Sequence, residues 1–161
     1  MRKILWFAVL YLLLFTAVAS SQSVTPIIAE GGRGKAHGEF TVRNDGVVPM
    51  VVTVQVVTFR LTPEGKSIYL PLEPNSVVKL SETSAKVGAR QTHAFGYFLE
   101  CQGTNPCLIA FLPRMVTGLH TKEGMQVGII VPHYAYICPS QEKAKGCRAR
   151  VRLAAGIPEG K

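Results

Sequence analysis

The chain has 161 residues, with 47% apolar side chains, 17% charged ones and a formal net charge of +8. That length fits one domain or two very small ones, and the apolar fraction excludes a low-hydrophobicity disordered chain. Sixteen of the apolar side chains crowd into the first nineteen positions, so the remaining 142 residues have the apolar content of an ordinary soluble domain.

Those nineteen positions have the layout of an export signal. Arg2 and Lys3 supply positive charge, Ile4 to Phe15 is an uncharged apolar run of twelve, and Ala17-Val18-Ala19 is a small-residue cleavage pattern before Ser20. Twelve helical residues cover about 18 Å, short of a bilayer core of about 30 Å. Residues 1–19 are therefore expected to be a signal peptide, with an uncleaved anchor as the alternative, and the folded part is expected to be exported. Without them the chain carries 16 basic and 10 acidic residues. Residues 20–140 account for 10 and 8 of these, and residues 141–161 for 6 and 2. The basic excess thus belongs to a C-terminal strand or tail. Nucleic acid is not expected as a partner, and membrane contact is expected only through the signal segment or weakly through that tail.

The strand pattern begins with Ser23 to Ala29, a short first strand interrupted by Pro26 and suited to an edge position. Gly31-Gly32-Arg33-Gly34 reads as a loop. Glu39 to Arg43 alternates, placing Phe40 and Val42 on one face, and Asn44-Asp45-Gly46 is a turn signal. Pro49 to Leu61 is the strongest strand, with Met50, Val52, Val54 and Val56 on one face and Thr53 and Gln55 on the other. Thr62 to Lys66, with Pro63 and Gly65, closes a hairpin onto Ile68 to Leu72. Further runs are Val77 to Leu80, Gln91 to Glu100, Cys107 to Val116 and Met125 to Cys138, with a final short strand expected from Cys147 to Leu153. No amphipathic helix of ten or more residues interrupts them. Seven to eight strands with Gly and Pro signals about every ten residues predict an all-β antiparallel sandwich or barrel.

Export makes the four cysteines legible as disulfide candidates. Cys101, Cys107, Cys138 and Cys147 allow three pairings. The most economical joins Cys101 to Cys107 and Cys138 to Cys147, because short loops bring the sulfurs together readily. The spacing does not resemble a metal-ligand set, so no metal is expected.

Enzymatic chemistry needs convergent titratable groups, and His37, His93, His120 and His133 fall one to a segment. No nucleophile elbow, zinc-protease helix or phosphate-binding glycine loop occurs in the sequence, and neither an enzymatic activity nor a cofactor is expected. Arg148, Arg150 and Arg152 alternate with apolar residues and would line one strand face; a solvated surface is the expectation, with binding to anionic polymers as a further reading.

The row Met125, Val127, Ile129 and Val131 is more informative, since it alternates with Gln126 and Gly128. It reads either as a core-facing strand or as an edge strand offering its backbone and alternating side chains to a partner strand. Together with Phe40-Thr41-Val42-Arg43-Asn44-Asp45-Gly46, the valine-rich strand from Pro49 to Phe59, Val87-Gly88-Ala89-Arg90-Gln91 and the ending Tyr136-Ile137-Cys138-Pro139, this row has a familiar order. From Ser23 to Pro139 the chain resembles the N-terminal, immunoglobulin-like domain of the periplasmic pilus-assembly chaperones, the PapD-like superfamily. The resemblance implies an immunoglobulin-like β-sandwich over residues 20–140 in the periplasm or cell envelope of a Gram-negative bacterium. It also implies a protein partner, a pilin-like or other envelope subunit, bound by β-strand addition at Met125, Val127, Ile129 and Val131. In that family an arginine and a lysine hold the subunit's terminal carboxylate; the matching positions here are Ile28 and Tyr134. The family's second domain has no counterpart in this sequence. The alternative is a structural component of the envelope surface without chaperone activity.

Overall fold

Residues 22–62, 64–102, 104–117, 128–139, 147 and 151 are described by the computed structural model. The export segment, His120, Met125, Val127 and the Arg148, Arg150 and Arg152 row lie outside them. Eleven strands follow in chain order: β1 (Gln22–Thr25), β2 (Ile28–Arg33), β3 (Lys35–Asn44), β4 (Met50–Leu61), β5 (Ser67–Leu70) and β6 (Ser76–Leu80). After these come β7 (Ser84–Val87), β8 (Thr92–Cys101), β9 (Cys107–Thr117), β10 (Gly128–Ile130) and β11 (His133–Cys138).

Alternation decides which side of each strand is buried. Met50, Val52 and Val54 of β4 are buried, while the intervening Val51, Thr53 and Gln55 are exposed. In β8 the same period buries Phe95, Tyr97, Leu99 and Cys101. The strands form two sheets. One runs β1-β3-β8-β6, and the other β2-β11-β9-β4-β5, with β10 also on β9 and β7 also on β4. Their inward faces share one core, where Phe40 stacks on Phe95 at 5.3 Å and meets Phe111 of the opposite sheet at 5.5 Å. Each fully buried ring contributes about 1.5–3 kcal/mol through the apolar area it removes from water. The alternation predicts a sandwich or barrel; the structure is a sandwich, of the immunoglobulin-like form that the resemblance implies.

The turn after β3 is held by its last residue. Asn44 is fully buried; its side-chain amide donates to the carbonyls of Val48 and Gly88, and its Oδ1 accepts from the Gly46 N–H. An asparagine satisfies three backbone groups at a point where the ladder stops and water is excluded.

Several local expectations change. The first run is not one strand: it splits at the cis Thr25–Pro26 bond into β1, antiparallel to β3, and β2, parallel to β11 in the other sheet. Gly31 to Arg33 are strand rather than loop. Gly31 lies so close to β11 that a Cβ would sit 2.8 Å from both the Ile137 side chain and the Tyr136 carbonyl oxygen, so only glycine lets the strands approach. The expected Met125 to Cys138 run breaks at Val131 and Pro132 into β10 and β11. Such splitting, with the added β7, raises seven or eight expected runs to eleven strands. Finally, Cys147 and Val151 have helical backbone, not the extended form expected of a last strand, and both are buried against Tyr136 and Cys138.

Cys101 is bonded to Cys107, tying β8 of one sheet to β9 of the other, with Cα atoms 5.8 Å apart. Cys138 is bonded to Cys147, fixing the end of β11 to that helical residue.

Candidate functional site

The sheet containing β9 exposes its unusual features on one lane. β9 is flanked on one side by β4 and on the other by β11 and β10 in succession. β2 covers the far side of β11 from Tyr134 to Cys138. It cannot continue along β10, because the chain preceding it turns away at Pro26 and pairs with β3. β10 therefore has β9 on one side and no described strand on the other.

All three residues of β10 are exposed. Ile129 lies opposite the buried Met115 and is 44% exposed; Ile130 lies opposite Arg114 and is 53% exposed. Val131, next in the inward row, packs against the core. Of the four residues singled out in this row, Ile129 and Val131 therefore lie on the inward side of the edge lane, the first open and the second anchored. Met125 and Val127 lie outside the described residues.

His133, which the sequence left as one of four scattered histidines, begins β11. It is fully buried, stacked on Phe40 at 5.0 Å. Its Nδ1 lies 2.5 Å from the Pro26 carbonyl oxygen and its Nε2 3.2 Å from the Tyr97 hydroxyl. A carbonyl only accepts, so Nδ1 carries the proton and Tyr97 donates to Nε2. Burial lowers the His133 pKa, an effect the Pro26 bond partly opposes, and burial raises that of Tyr97. The histidine thus pins the point where the first run changes sheets to the strand that follows the open edge.

Ile28 and Tyr134 face each other directly in the β2–β11 register. Both lie on the outward face of the sheet, beside a cavity of about 210 Å³ that also touches Phe59, Leu61, Tyr136 and Val151. Tyr134 packs on Phe59 at 4.7 Å, and its hydroxyl meets those of Tyr69 at 2.8 Å and Ser67 at 3.1 Å. Desolvation, then the bond to Tyr134, pushes the Tyr69 phenol up to about 12. The two positions are adjacent, as the resemblance implies, but their surroundings suit an apolar group with one hydroxyl contact and not a carboxylate.

A second cavity, of about 580 Å³, opens on the same face beside β10. Val51, Thr53, Gln55, Leu112, Arg114 and Ile130 contribute to its walls. Neither Arg114 nor this cavity was singled out from sequence. The available signal is that Arg114 is the one charged residue in the otherwise apolar outward row Leu108, Ala110, Leu112, Arg114 and Val116. His93, by contrast, sits on the other sheet with its Nε2 2.6 Å from Glu82.

No protein-family model and no curated protein matches the sequence. Solved structures do match the fold. The class 5 fimbriae chaperone CfaA superposes with a TM-score of 0.57 at 11% identity, covering 76% of this chain and 58% of its own. A chain of the Salmonella enterica SafA pilin–SafB chaperone complex gives 0.55 at 13% identity, covering 80% and 59%. A chain of the CsuC–CsuE chaperone–tip adhesion subunit complex of Acinetobacter baumannii Csu pili gives 0.53 at 14%, covering 83% and 68%. This chain spans less than two thirds of the length of the first two. Its described sandwich has the fold found in the PapD-like fimbrial chaperones.

Proposed function

We propose that this chain is an exported, chaperone-like β-sandwich that captures a pilin-type or other envelope subunit by β-strand addition at the β10 edge. The observation that carries this reading is β10 itself: an apolar strand, exposed at every residue, with one side free of any described strand. Unpaired N–H and C=O groups supply the backbone bonds of an added strand, while Ile129 and its row supply selectivity. Met125 and Val127 extend that row in the same alternation, and Val131 anchors it to the core. The fold similarity to chaperones solved with pilin and tip-adhesion subunits supports the same reading. The periplasm or the cell envelope of a Gram-negative bacterium is the compartment, to which residues 1–19 direct the chain. No step in this role requires enzymatic turnover.

A photo-crosslinking residue at position 129 tests the role in intact cells. The expected product joins position 129 to an extended segment of one envelope subunit, and Val127→Asp with Ile129→Asp abolishes co-purification of that subunit. Co-purification undiminished in the double variant would remove the proposal. A second reading, a structural envelope component, draws support from the cavity beside Ile28 and Tyr134, which has no cation among its described lining residues. Pulse-chase separates them: a chaperone releases its subunit, whereas a structural component stays in the assembled material.

A further inference from the structure

The outward face around β10 carries positive charge with no carboxylate beside it among the described residues. Two register rows cross β7, β4, β9 and β10 there: Ser84, Thr53, Arg114 and Ile130 in one, and Lys86, Val51, Val116 and Gly128 in the next. No carboxylate lies among the outward residues of these four strands. Elsewhere on the described surface Lys35, Arg43 and Arg60 each have an acidic partner, at Glu100, Asp45 and Glu73. Arg114 has none among the described residues, and the side chains of Thr53 and Gln55 beside it have no described hydrogen-bond partner. A guanidinium, a hydroxyl and an amide thus share a cavity of about 580 Å³ without committed partners.

Gly128 determines where the guanidinium lies. A Cβ there would stand 3.0 Å from Arg114 Nε and 3.6 Å from its Cγ, so the arginine side chain leans across from its own row into the space beside the glycine. A strand added to β10 would lie about 10 Å from β9, two strand spacings away. An extended arginine and a glutamate together span that distance, and Gly128 puts no side chain between them. The outward residue of the added strand that pairs with Gly128 therefore meets the guanidinium directly.

We infer that the Arg114 guanidinium, leaning over Gly128, is a carboxylate subsite that reads an acidic side chain on the partner's added strand opposite Gly128. The subsite rests on strand addition at β10 and names one feature of the strand accepted there. It lies on β9, the strand next to β11, four residues beyond the Ala110 that pairs with Tyr134, and so is separate from the Ile28–Tyr134 position. The arginine fork suits bidentate recognition of a carboxylate, and covering by the added strand strengthens a pair that would be weak in open water.

Twelve-residue peptides of alternating valine and threonine, acetylated and amidated, provide the probe. One glutamate is moved through each threonine-face position, each peptide has a glutamine counterpart, and binding to the purified protein is followed by fluorescence anisotropy. The best glutamate peptide is expected to bind roughly ten-fold tighter than its glutamine counterpart. Arg114→Gln is expected to erase that gap at an unchanged thermal midpoint, and Gly128→Ala to narrow it. Equal binding of glutamate and glutamine peptides, or a gap that survives Arg114→Gln, overturns the subsite while strand addition stands. An Arg114-dependent gain that appears only in peptides with a free C-terminal carboxylate overturns the side-chain assignment. Failure of every peptide to bind, glutamine forms included, overturns strand addition at β10 and the subsite with it.

Discussion

β10 and β11 lie end to end beside the same strand, yet one is exposed throughout and the other almost wholly buried. Composition does not separate them, because Gly-Ile-Ile is as apolar as His-Tyr-Ala-Tyr-Ile-Cys. Neighbours do. β11 has β2 along its second edge, the opposite sheet beneath it, and Cys147 and Val151 against Tyr136 and Cys138. β10 has β9 alone. The contrast shows that exposure here is a consequence of topology, namely the departure of the first run to the other sheet. Natural sheets usually blunt such an edge with charge, proline or a covering loop. Here Pro132 only ends the lane, and the apolar residues before it stay open.

The sharpest way to break this contrast is to empty the buried member. Ile137→Ala removes a fully buried side chain and should cost about 2–5 kcal/mol, read as a lower denaturant midpoint at unchanged slope. A loss near zero would mean that β11 is no better anchored than β10. Acid should weaken the same junction by a smaller amount. His133 is held neutral in the fold, whereas the unfolded histidine takes up a proton near its ordinary value of 6.5. Stability should therefore be level above that pH and decline as the pH falls below it, until the lowered folded pKa is reached. His133→Gln should flatten the decline; urea titrations from pH 5 to 8 measure the difference. The smallest effect is expected at the edge. Ile130→Thr replaces a half-exposed residue and should change stability by less than about 0.5 kcal/mol. A larger loss would show that β10 contributes to the fold and not only to its surface.

Where side-chain period and burial coincide, the sequence was readable. Met50 to Val56 alternate because one face meets the core, and the turn between Thr62 and Lys66 uses glycine at a positive φ, Gly65 at 78°. The two short-range cysteine pairings are likewise those joined in the structure. Sheet membership was harder. Nothing local distinguishes a strand that bends at Pro26 from one that changes sheets there, because the distinction lies in partners about a hundred residues away. Gly31 and Gly32 resembled a loop because glycine permits turns and close strand contacts alike. The alternation of the candidate edge fitted a core-facing strand and an edge strand alike, since periodicity reports which faces differ and not which neighbours are present. Arg114 escaped for a related reason: a charge on an outward row is ordinary until its carboxylates are counted in three dimensions.

The parallel pairing of β2 with β11 also bears on when the fold can close. Pro26 and His133, joined by a hydrogen bond, are 107 residues apart in sequence. A contact of that range has a large loop-closure cost and cannot form before almost all the described sandwich is present. A chain threaded across a membrane from its N-terminus would deliver β2 early and leave it unpaired until β11 emerged. β3 and β8, or β4 and β9, can pair in the meantime, so β2 is the strand with the longest wait. In that order of emergence, closure of this sheet comes late, and the lane bearing β10 would be completed only after every other paired strand had appeared.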